Sequence, residues 1–235
     1  MLWALMTAVW AKTITLSTPH MGKFTVEQQG RGKSAVIFVH DAHEDARNMK
    51  RLADLFASPK MRTVYFDLPG SGERAEEEAL HPFMHIEVQT IILYLQAKGV
   101  KDIQCVGSGL GAILCMQALS ESTPLSQIAI LGPVNTKYHQ SLFSNLKAYP
   151  QDHPILVISS QDRVAELCIA RLEEEHEVLL YLTDGYQRGT RLIVIDPSLE
   201  KPLRDWVWKK IPVKSKSPKV NIEHETKVTG RPLPF

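Results

Sequence analysis

The chain has 235 residues, of which 44% are hydrophobic and 23% are charged, a composition typical of a globular protein with a sizeable core. Its 27 Lys and Arg residues nearly balance its 26 Asp and Glu residues, and the formal net charge is +1. This balance excludes a global field that would draw the protein to nucleic acid or to an anionic membrane. One α/β domain is the default expectation for this length.

The first eleven residues, MLWALMTAVWA, form a short apolar run that ends in small residues. Val9, Trp10 and Ala11 fit a signal-peptidase site before Lys12, although the basic start of a signal peptide is missing. We expect residues 1–11 to be the remnant of a secretion signal, which favours an exported or periplasmic protein. A misassigned start or a buried N-terminal segment are the alternatives, and the location is then cytoplasmic. The run is too short to span a bilayer.

Apolar residues alternate with polar ones in two segments near the N-terminus, which predicts an antiparallel hairpin over 13–17 and 24–28. Short apolar runs follow, typical of strands that are buried on both faces, at 35–39, 63–66, 103–106, 128–131, 155–158 and 178–182. Helical patterns lie between and after them at 45–57, 82–98, 110–120, 138–147, 164–174 and 198–210. This alternation predicts a mainly parallel sheet with right-handed crossovers and with ligands at the carboxyl ends of its strands.

The last residues, 212–235, lack apolar periodicity and are rich in Lys, Pro, Ser and Thr. They predict a mobile tail after a domain over 12–211, with a docking peptide as the alternative. Cys105, Cys115 and Cys168 cannot all pair, and each lies in an apolar segment. We expect them to be buried and unreactive, as small apolar side chains.

Five motifs occur in an order that resembles the α/β-hydrolase family over about residues 24–210. They are AVIFVHDAH after the third strand, YFDLPGSGER after the fourth, CVGSGLGAI at the fifth, VISSQDRV after the seventh and DGYQRGTRLI after the eighth. The resemblance implies an α/β-hydrolase fold in which these segments are the oxyanion loop, a D-x-P-G-x-G turn, the nucleophile elbow, the acid loop and the histidine loop. The chain between Pro133 and Pro154 is too short for a lid domain.

The elbow motif places its nucleophile between two small residues, because neighbouring backbone comes close on both sides. Glycine stands at both flanks only in the register Gly107 to Gly111, which puts Gly109 at the nucleophile's position. Shifting the register to make Ser108 the nucleophile would put Val106 and Leu110 at the flanks. We therefore treat Ser108 as a weak alternative nucleophile.

The other triad positions support the same interpretation. The resemblance assigns the acid to Asp162 and the histidine's position to Arg188, whose guanidinium stays protonated and cannot act as a general base. His176 is expected on a solvated helix end. Arg188 has two alternatives: it pairs with Asp162, which we favour, or it turns toward an anionic ligand.

The oxyanion loop is altered as well. The backbone N–H groups of Ala42 and Leu110 are the candidate oxyanion donors, while Asp41 brings a negative charge close to the same place. His40 and Asp41 are candidate pocket residues with Arg188. The loop also contains the residues of a conceivable metal site, namely His40, Asp41, His43, Glu44 and Asp45. We favour the alternative, in which the carboxylates cap the following helix.

These observations predict a catalytically inactive α/β-hydrolase homologue that acts in binding or assembly through its surface or its residual crevice. The alternative is an active, esterase-like serine hydrolase whose nucleophile is not at Gly109. No cofactor or metal is expected. The expected partner is a protein or a small anionic or acyl ligand, with no nucleic acid and no transmembrane span.

Overall fold

The computed structural model describes residues 11–79, 82–134, 146–184 and 187–209. Eight strands in these residues form one sheet. They are β1 (Ala11–Thr18), β2 (Gly22–Gly30), β3 (Ser34–Val39), β4 (Met61–Tyr65), β5 (Asp102–Ser108), β6 (Gln127–Leu131), β7 (Ile155–Ser160) and β8 (Val178–Thr183). Every strand that the apolar patterns predict is present, with boundaries that differ by a few residues.

Six α-helices accompany the sheet in the described residues. They are α1 (Ala46–Phe56), α2 (His85–Ala97), α3 (Leu110–Gln117), α4 (Arg163–Glu173), α5 (Arg191–Ile195) and α6 (Glu200–Val207). The sequence pattern does not predict α5. The helix predicted over 138–147 lies mostly outside the described residues, where only the 3-10 turn Leu146–Ala148 is found. Residues 1–10 of the expected signal remnant and the whole predicted tail also lie outside them.

The strand order is β1-β2-β4-β3-β5-β6-β7-β8. β1 pairs antiparallel with β2, and β2 pairs antiparallel with β4, so the N-terminal hairpin extends one edge of the sheet. All neighbours from β4 to β8 are parallel. The carboxyl ends of the parallel strands therefore all point the same way, and the loops after β3, β5, β7 and β8 lie together at these carboxyl ends.

The sheet has a hydrophobic core on each face, because successive side chains of a strand point to opposite sides. In β3, Ala35, Ile37 and Val39 pack in the core that contains residues of α2, α3 and α4. Val36 and Phe38 pack in the core that contains residues of α1, α5 and α6. Helices thus cover both faces, and no lid domain lies over the sheet within the part of the chain that is described.

A buried ion pair fixes the loop after β4. Arg74 forms two hydrogen bonds with the carboxylate of Glu87, at 2.8 and 2.9 Å, and its side chain is 7% exposed. Arg74 also donates to the backbone oxygen of Asp67 at 3.0 Å. Burial alone lowers the pKa of Arg74, but its hydrogen bonds to Glu77 and Glu87 outweigh burial and raise that pKa above its usual value. The D-x-P-G-x-G turn is therefore tied to α2.

Two of the cysteines are bonded, contrary to the expectation of three buried thiols. Cys105 in β5 and Cys115 in α3 form a disulfide with their Cα atoms 6.2 Å apart. Cys168 is a buried free thiol, and burial raises its pKa. All three residues are buried, as predicted, and the disulfide joins the strand and the helix on either side of the elbow.

None of the helices in the described residues combines the length and the apolar character that crossing a bilayer requires.

Candidate functional site

The elbow between β5 and α3 has glycine at its apex. Gly109 has φ +48° and ψ −111°, a backbone conformation that side-chain-bearing residues adopt only under strain. The flanking glycines are required by space: a Cβ on Gly107 would lie 2.4 Å from the backbone of Ala112, and one on Gly111 would lie 2.1 Å from the backbone oxygen of Val39. The local geometry is that of a sharp strand-to-helix turn built from small residues.

Ser108, one residue before the apex, is fully buried. Its hydroxyl donates to Oε2 of Glu44 at 2.8 Å, and a Cβ on Gly189 would lie 2.5 Å from its Oγ. The hydroxyl is thus enclosed between the loop after β3 and the loop after β8. Because Ser108 has no exposed surface, it does not present this oxygen to a substrate carbonyl.

Asp41 occupies the position toward which the predicted oxyanion donors point. Its Oδ1 accepts the backbone N–H of Leu110 at 2.8 Å and the backbone N–H of Ala42 at 2.8 Å. Leu110 is the first residue of α3, so the carboxylate also lies at the positive end of that helix dipole. A Cβ on Gly109 would lie 2.3 Å from the Cγ of Asp41, so the carboxylate fills the space where a side chain at the apex would begin.

Glu44 connects three segments of the site. Its carboxylate accepts the backbone N–H of Asp41 at 3.1 Å, the hydroxyl of Ser108, and the backbone N–H of Thr190 at 2.9 Å. The hydroxyl of Thr190 donates to it as well. The sequence motif includes Thr190 in the histidine loop but does not predict this contact, because no local pattern signals a contact between residues 146 positions apart.

The capping prediction is correct for only one of the three carboxylates in this loop. Asp45 is the N-cap of α1 and accepts the backbone N–H of Arg47 at 2.9 Å, with a reciprocal bond from its own N–H to Asn48. Asp41 and Glu44 turn instead toward α3 and the loop after β8. The expectation that they stabilise the first turn of α1 is wrong, because Asp41 accepts the N–H of Leu110 and Glu44 accepts that of Thr190. The first N–H of α1, that of Ala46, is accepted by Asp67 at 2.7 Å instead.

Asp162 and Arg188 form an ion pair beside the elbow. Nη2 of Arg188 lies 3.3 Å from Oδ2 of Asp162, and the Arg188 side chain is 47% exposed. Oδ1 of Asp162 accepts the backbone N–H of Ala165 at 2.9 Å, which makes Asp162 the N-cap of α4. Of the two alternatives for Arg188, the structure contains the ion pair.

His40 does not line the crevice, contrary to the expectation that it is a pocket residue. It is fully buried: its Nδ1 lies 2.6 Å from the backbone oxygen of Asp41, and its Nε2 accepts the backbone N–H of Leu68 at 2.9 Å. These partners require the neutral ring with its proton on Nδ1. Burial lowers the pKa of His40, against smaller opposing effects of the Asp41 backbone and of nearby carboxylates. His40 holds the loops after β3 and β4 together.

His176 is also buried, contrary to the prediction of a solvated helix end. It is 7% exposed, its ring centroid lies 5.5 Å from that of Tyr149, and burial lowers its pKa. It precedes the amino end of β8, whereas the elbow lies at the carboxyl ends of the parallel strands. His176 therefore cannot serve as a base for this site.

The candidate metal site of the loop after β3 is not assembled. In the ranges that the structure describes, no group of three or more His, Cys, Asp or Glu side chains is arranged to hold a metal ion. The reason is local: Asp41 and Glu44 accept backbone and hydroxyl hydrogens, while His40 points into the protein.

No protein-family model matches the sequence and no curated protein matches it, whereas many solved structures share its fold. The esterase Pf2001 of Pyrococcus furiosus superposes with a TM-score of 0.68 at 12% identity, over 86% of this chain and 90% of that one. An α/β serine hydrolase without a lid from Xanthomonas campestris gives 0.60 at 16% identity, over 83% and 94%. An α/β-hydrolase from Novosphingobium aromaticivorans gives 0.63 at 11% identity, over 86% and 99%.

The strand order and these superpositions define an α/β-hydrolase fold, as the five sequence motifs predict. At such identities the likeness establishes the fold, and the function has to be argued from the site itself.

Proposed function

We propose that this chain is a non-catalytic protein of the α/β-hydrolase fold that acts by binding a partner protein at its surface. The observation that carries the proposal is the position of Asp41, whose single oxygen accepts both backbone N–H groups that would hold a reacting oxyanion. A negative oxygen already bound there competes directly with the charge that acyl transfer develops.

The two triad residues with altered chemistry support the proposal. Gly109 at the apex offers no nucleophile, and the guanidinium of Arg188 cannot accept a proton. The ion pair with Asp162 gives Arg188 a structural partner in place of a reacting group.

The enclosure of Ser108 argues against the alternative of an active hydrolase. Its hydroxyl donates to Glu44, and a carboxylate in that position could accept the proton of a serine nucleophile, but the serine is fully buried. General-base catalysis requires that the nucleophile reach the substrate as well as its base.

The same contacts favour a protein partner over a small anionic or acyl ligand. Asp41 and Glu44 place carboxylate oxygens beside the elbow, and these oxygens are already hydrogen-bonded within the chain. An anion would have to displace Asp41 against like charge, whereas a partner at the surface leaves these bonds intact.

Steady-state hydrolysis of p-nitrophenyl acetate and butyrate tests the loss of catalysis. We expect wild-type protein and the Ser108→Ala variant to release nitrophenol at the same rate as buffer. Turnover by the wild type that Ser108→Ala abolishes would overturn the proposal in favour of the active hydrolase.

Formation of a stoichiometric complex tests the second part of the proposal, namely that the chain binds a partner protein at its surface. A partner isolated with the wild-type chain should bind the Asp41→Ala and Arg188→Ala variants with unchanged affinity, because these substitutions leave the surface away from the crevice intact. Loss of the complex in either variant would instead indicate binding in the crevice.

We further propose that the protein matures in an oxidising compartment, as the expected signal remnant suggests. The disulfide between Cys105 and Cys115 supports this, because such bonds persist mainly in exported proteins. Alkylation of the denatured but unreduced protein should label only Cys168; labelling of all three cysteines would contradict it.

A further inference from the structure

The outer side of β8 is an open sheet edge. β8 pairs with β7 on one side, and no described strand lies on the other. The carbonyl groups of Glu177 and Thr183 face β7, so the alternate residues Val178, Leu180 and Leu182 direct their backbone N–H groups outward. A row of outward-facing backbone N–H and C=O groups of this kind can pair with an added strand.

This edge is apolar. Of the large hydrophobic side chains exposed in the described residues, Tyr181 and Leu182 belong to β8, and Leu167 belongs to α4, which contacts β8. β8 itself, VLLYLT, carries no charge of the kind that usually protects an edge strand. An occupant with apolar residues would remove this surface from water.

Both ends of β8 are acidic. Glu173, Glu174, Glu175 and Glu177 precede the strand, and Asp184 follows it, with no Lys or Arg between residues 173 and 184. Arg171 forms ion pairs with Glu174 and Glu175 only. A complementary occupant therefore carries positive charge beside its apolar residues.

The C-terminal segment of this chain has that chemistry. Lysine stands at 209, 210, 214, 216 and 219, with no acidic residue in 209–219, and Val220 and Ile222 follow in alternation with polar residues. In the C-terminal segment, lysines precede Val220 and Ile222. At β8, glutamates precede Leu180 and Leu182, so the order of charged and apolar residues in the two segments is complementary.

The segment is long enough to reach. The last described residue, Lys209, pairs with Asp102 at the amino end of β5, the same end of the sheet at which the Glu residues precede β8. β8 is three strands away, or about 14 Å. The ten residues after Lys209, up to and including Lys219, span up to about 33 Å when extended.

We propose that residues 210–222 dock on the outer edge of β8 as an added strand, with their lysines against the glutamates and with Val220 and Ile222 beside Leu180 and Leu182. A second copy fits this edge less well. Opposite residues of an antiparallel pair must both direct their backbone groups toward the partner or both away from it, so a two-fold axis can lie at Leu180. Glu177 would then lie opposite Thr183 of the copy and next to its Asp184, which brings the acidic ends of the two strands together. The docking does not rest on the proposed loss of catalysis.

Amide hydrogen exchange on the full chain tests the docking at the outward N–H groups of Leu180 and Leu182. We expect exchange at least about tenfold faster in a Lys214→Glu, Lys216→Glu, Lys219→Glu variant than in wild type, because an undocked segment leaves these groups in water. The matched control, Lys23→Glu, Lys60→Glu, Lys101→Glu, makes the same charge change on exposed residues away from β8 and should exchange as the wild type does.

Raising the salt concentration to about 1 M should accelerate exchange of the same two amides in wild type, because screening weakens the contacts between lysine and glutamate. Equal exchange in wild type and the tail variant would overturn the docking. Protection that survives in the tail variant and grows with protein concentration would also overturn it and assign the edge to a second copy. Ester hydrolysis is unaffected in every arm, so failure here leaves the proposed function standing.

Discussion

The backbone N–H of Leu110 donates to Oδ1 of Asp41 at 2.8 Å, and the same oxygen accepts the N–H of Ala42 at the same distance. One side-chain oxygen thus holds two donors that converge at the start of α3. The arrangement is a two-amide anion site that the protein fills with its own carboxylate.

Removing that carboxylate should open the site to small anions. We expect inorganic phosphate to raise the melting temperature of Asp41→Ala, with a stabilisation of about 1.4 kcal/mol at a concentration ten times the dissociation constant. Wild type and Glu76→Ala, which loses an exposed carboxylate, should show no phosphate-dependent shift. Equal shifts in all three proteins would mean that Asp41 does not block the site.

A side chain at the apex should compete with Asp41 for space. Gly109→Ala should lower the free energy of unfolding by about 1–3 kcal/mol from backbone strain alone, and further because its Cβ meets the Asp41 carboxylate. In an Asp41→Gly background the cost should fall, with a coupling of about 1 kcal/mol in urea unfolding. Gly111→Ala, which meets the backbone of Val39, should cost the same in both backgrounds. Additive effects of Gly109→Ala and Asp41→Gly would show that the two residues do not compete.

Truncation of Glu87 should destabilise the protein far more than truncation of Glu77, although both residues pair with Arg74. Glu87 is fully buried, so Glu87→Ala leaves the guanidinium without its buried partner and should cost about 3–5 kcal/mol. The Glu77 side chain is 41% exposed, and Glu77→Ala should cost no more than about 1 kcal/mol. Urea unfolding of both variants tests this, and equal losses would contradict it.

Acidification below neutral pH should destabilise the protein through its buried histidines. Burial lowers the pKa of His40 in the folded state. Between about pH 7.5 and 5.5 this histidine is therefore protonated in the unfolded chain but stays neutral in the folded chain. The free energy of unfolding should therefore fall with pH in this window. His85 and His176, whose pKa values burial also lowers, act in the same direction.

The His40→Gln variant isolates the contribution of this residue. Its amide oxygen can still accept the N–H of Leu68 but does not titrate, so the decline in stability between about pH 7.5 and 5.5 should be shallower than in wild type. An identical decline in both proteins would remove His40 as a cause.

The fold could be predicted from the sequence because its signals are local. Apolar runs of strand length, helical patterns between them and five loop motifs in order predict the parallel sheet and its hairpin edge. The glycine at the apex could be assigned as well, because only one register places glycine at both of its flanks.

The interior of the site could not be predicted, because its contacts join distant loops. Nothing near Glu44 in sequence indicates that its carboxylate reaches Thr190. From the local sequence alone, every acidic residue in that loop is expected to cap α1. The disulfide could not be predicted for a related reason: Cys105 and Cys115 are ten positions apart in sequence, and only the strand-to-helix turn brings them together. His176 lies in a run of charged residues, yet the ring of Tyr149 packs against it.

Labelling with a fluorophosphonate, read out by the mass of the intact folded protein, is the sharpest test of the loss of catalysis, because such reagents form a covalent adduct only with an activated serine. We expect no adduct on the native wild-type chain, since Gly109 provides no hydroxyl and Ser108 is enclosed beside Glu44. A stoichiometric adduct that maps to Ser108 and disappears in Ser108→Ala would show that the chain is an active serine hydrolase.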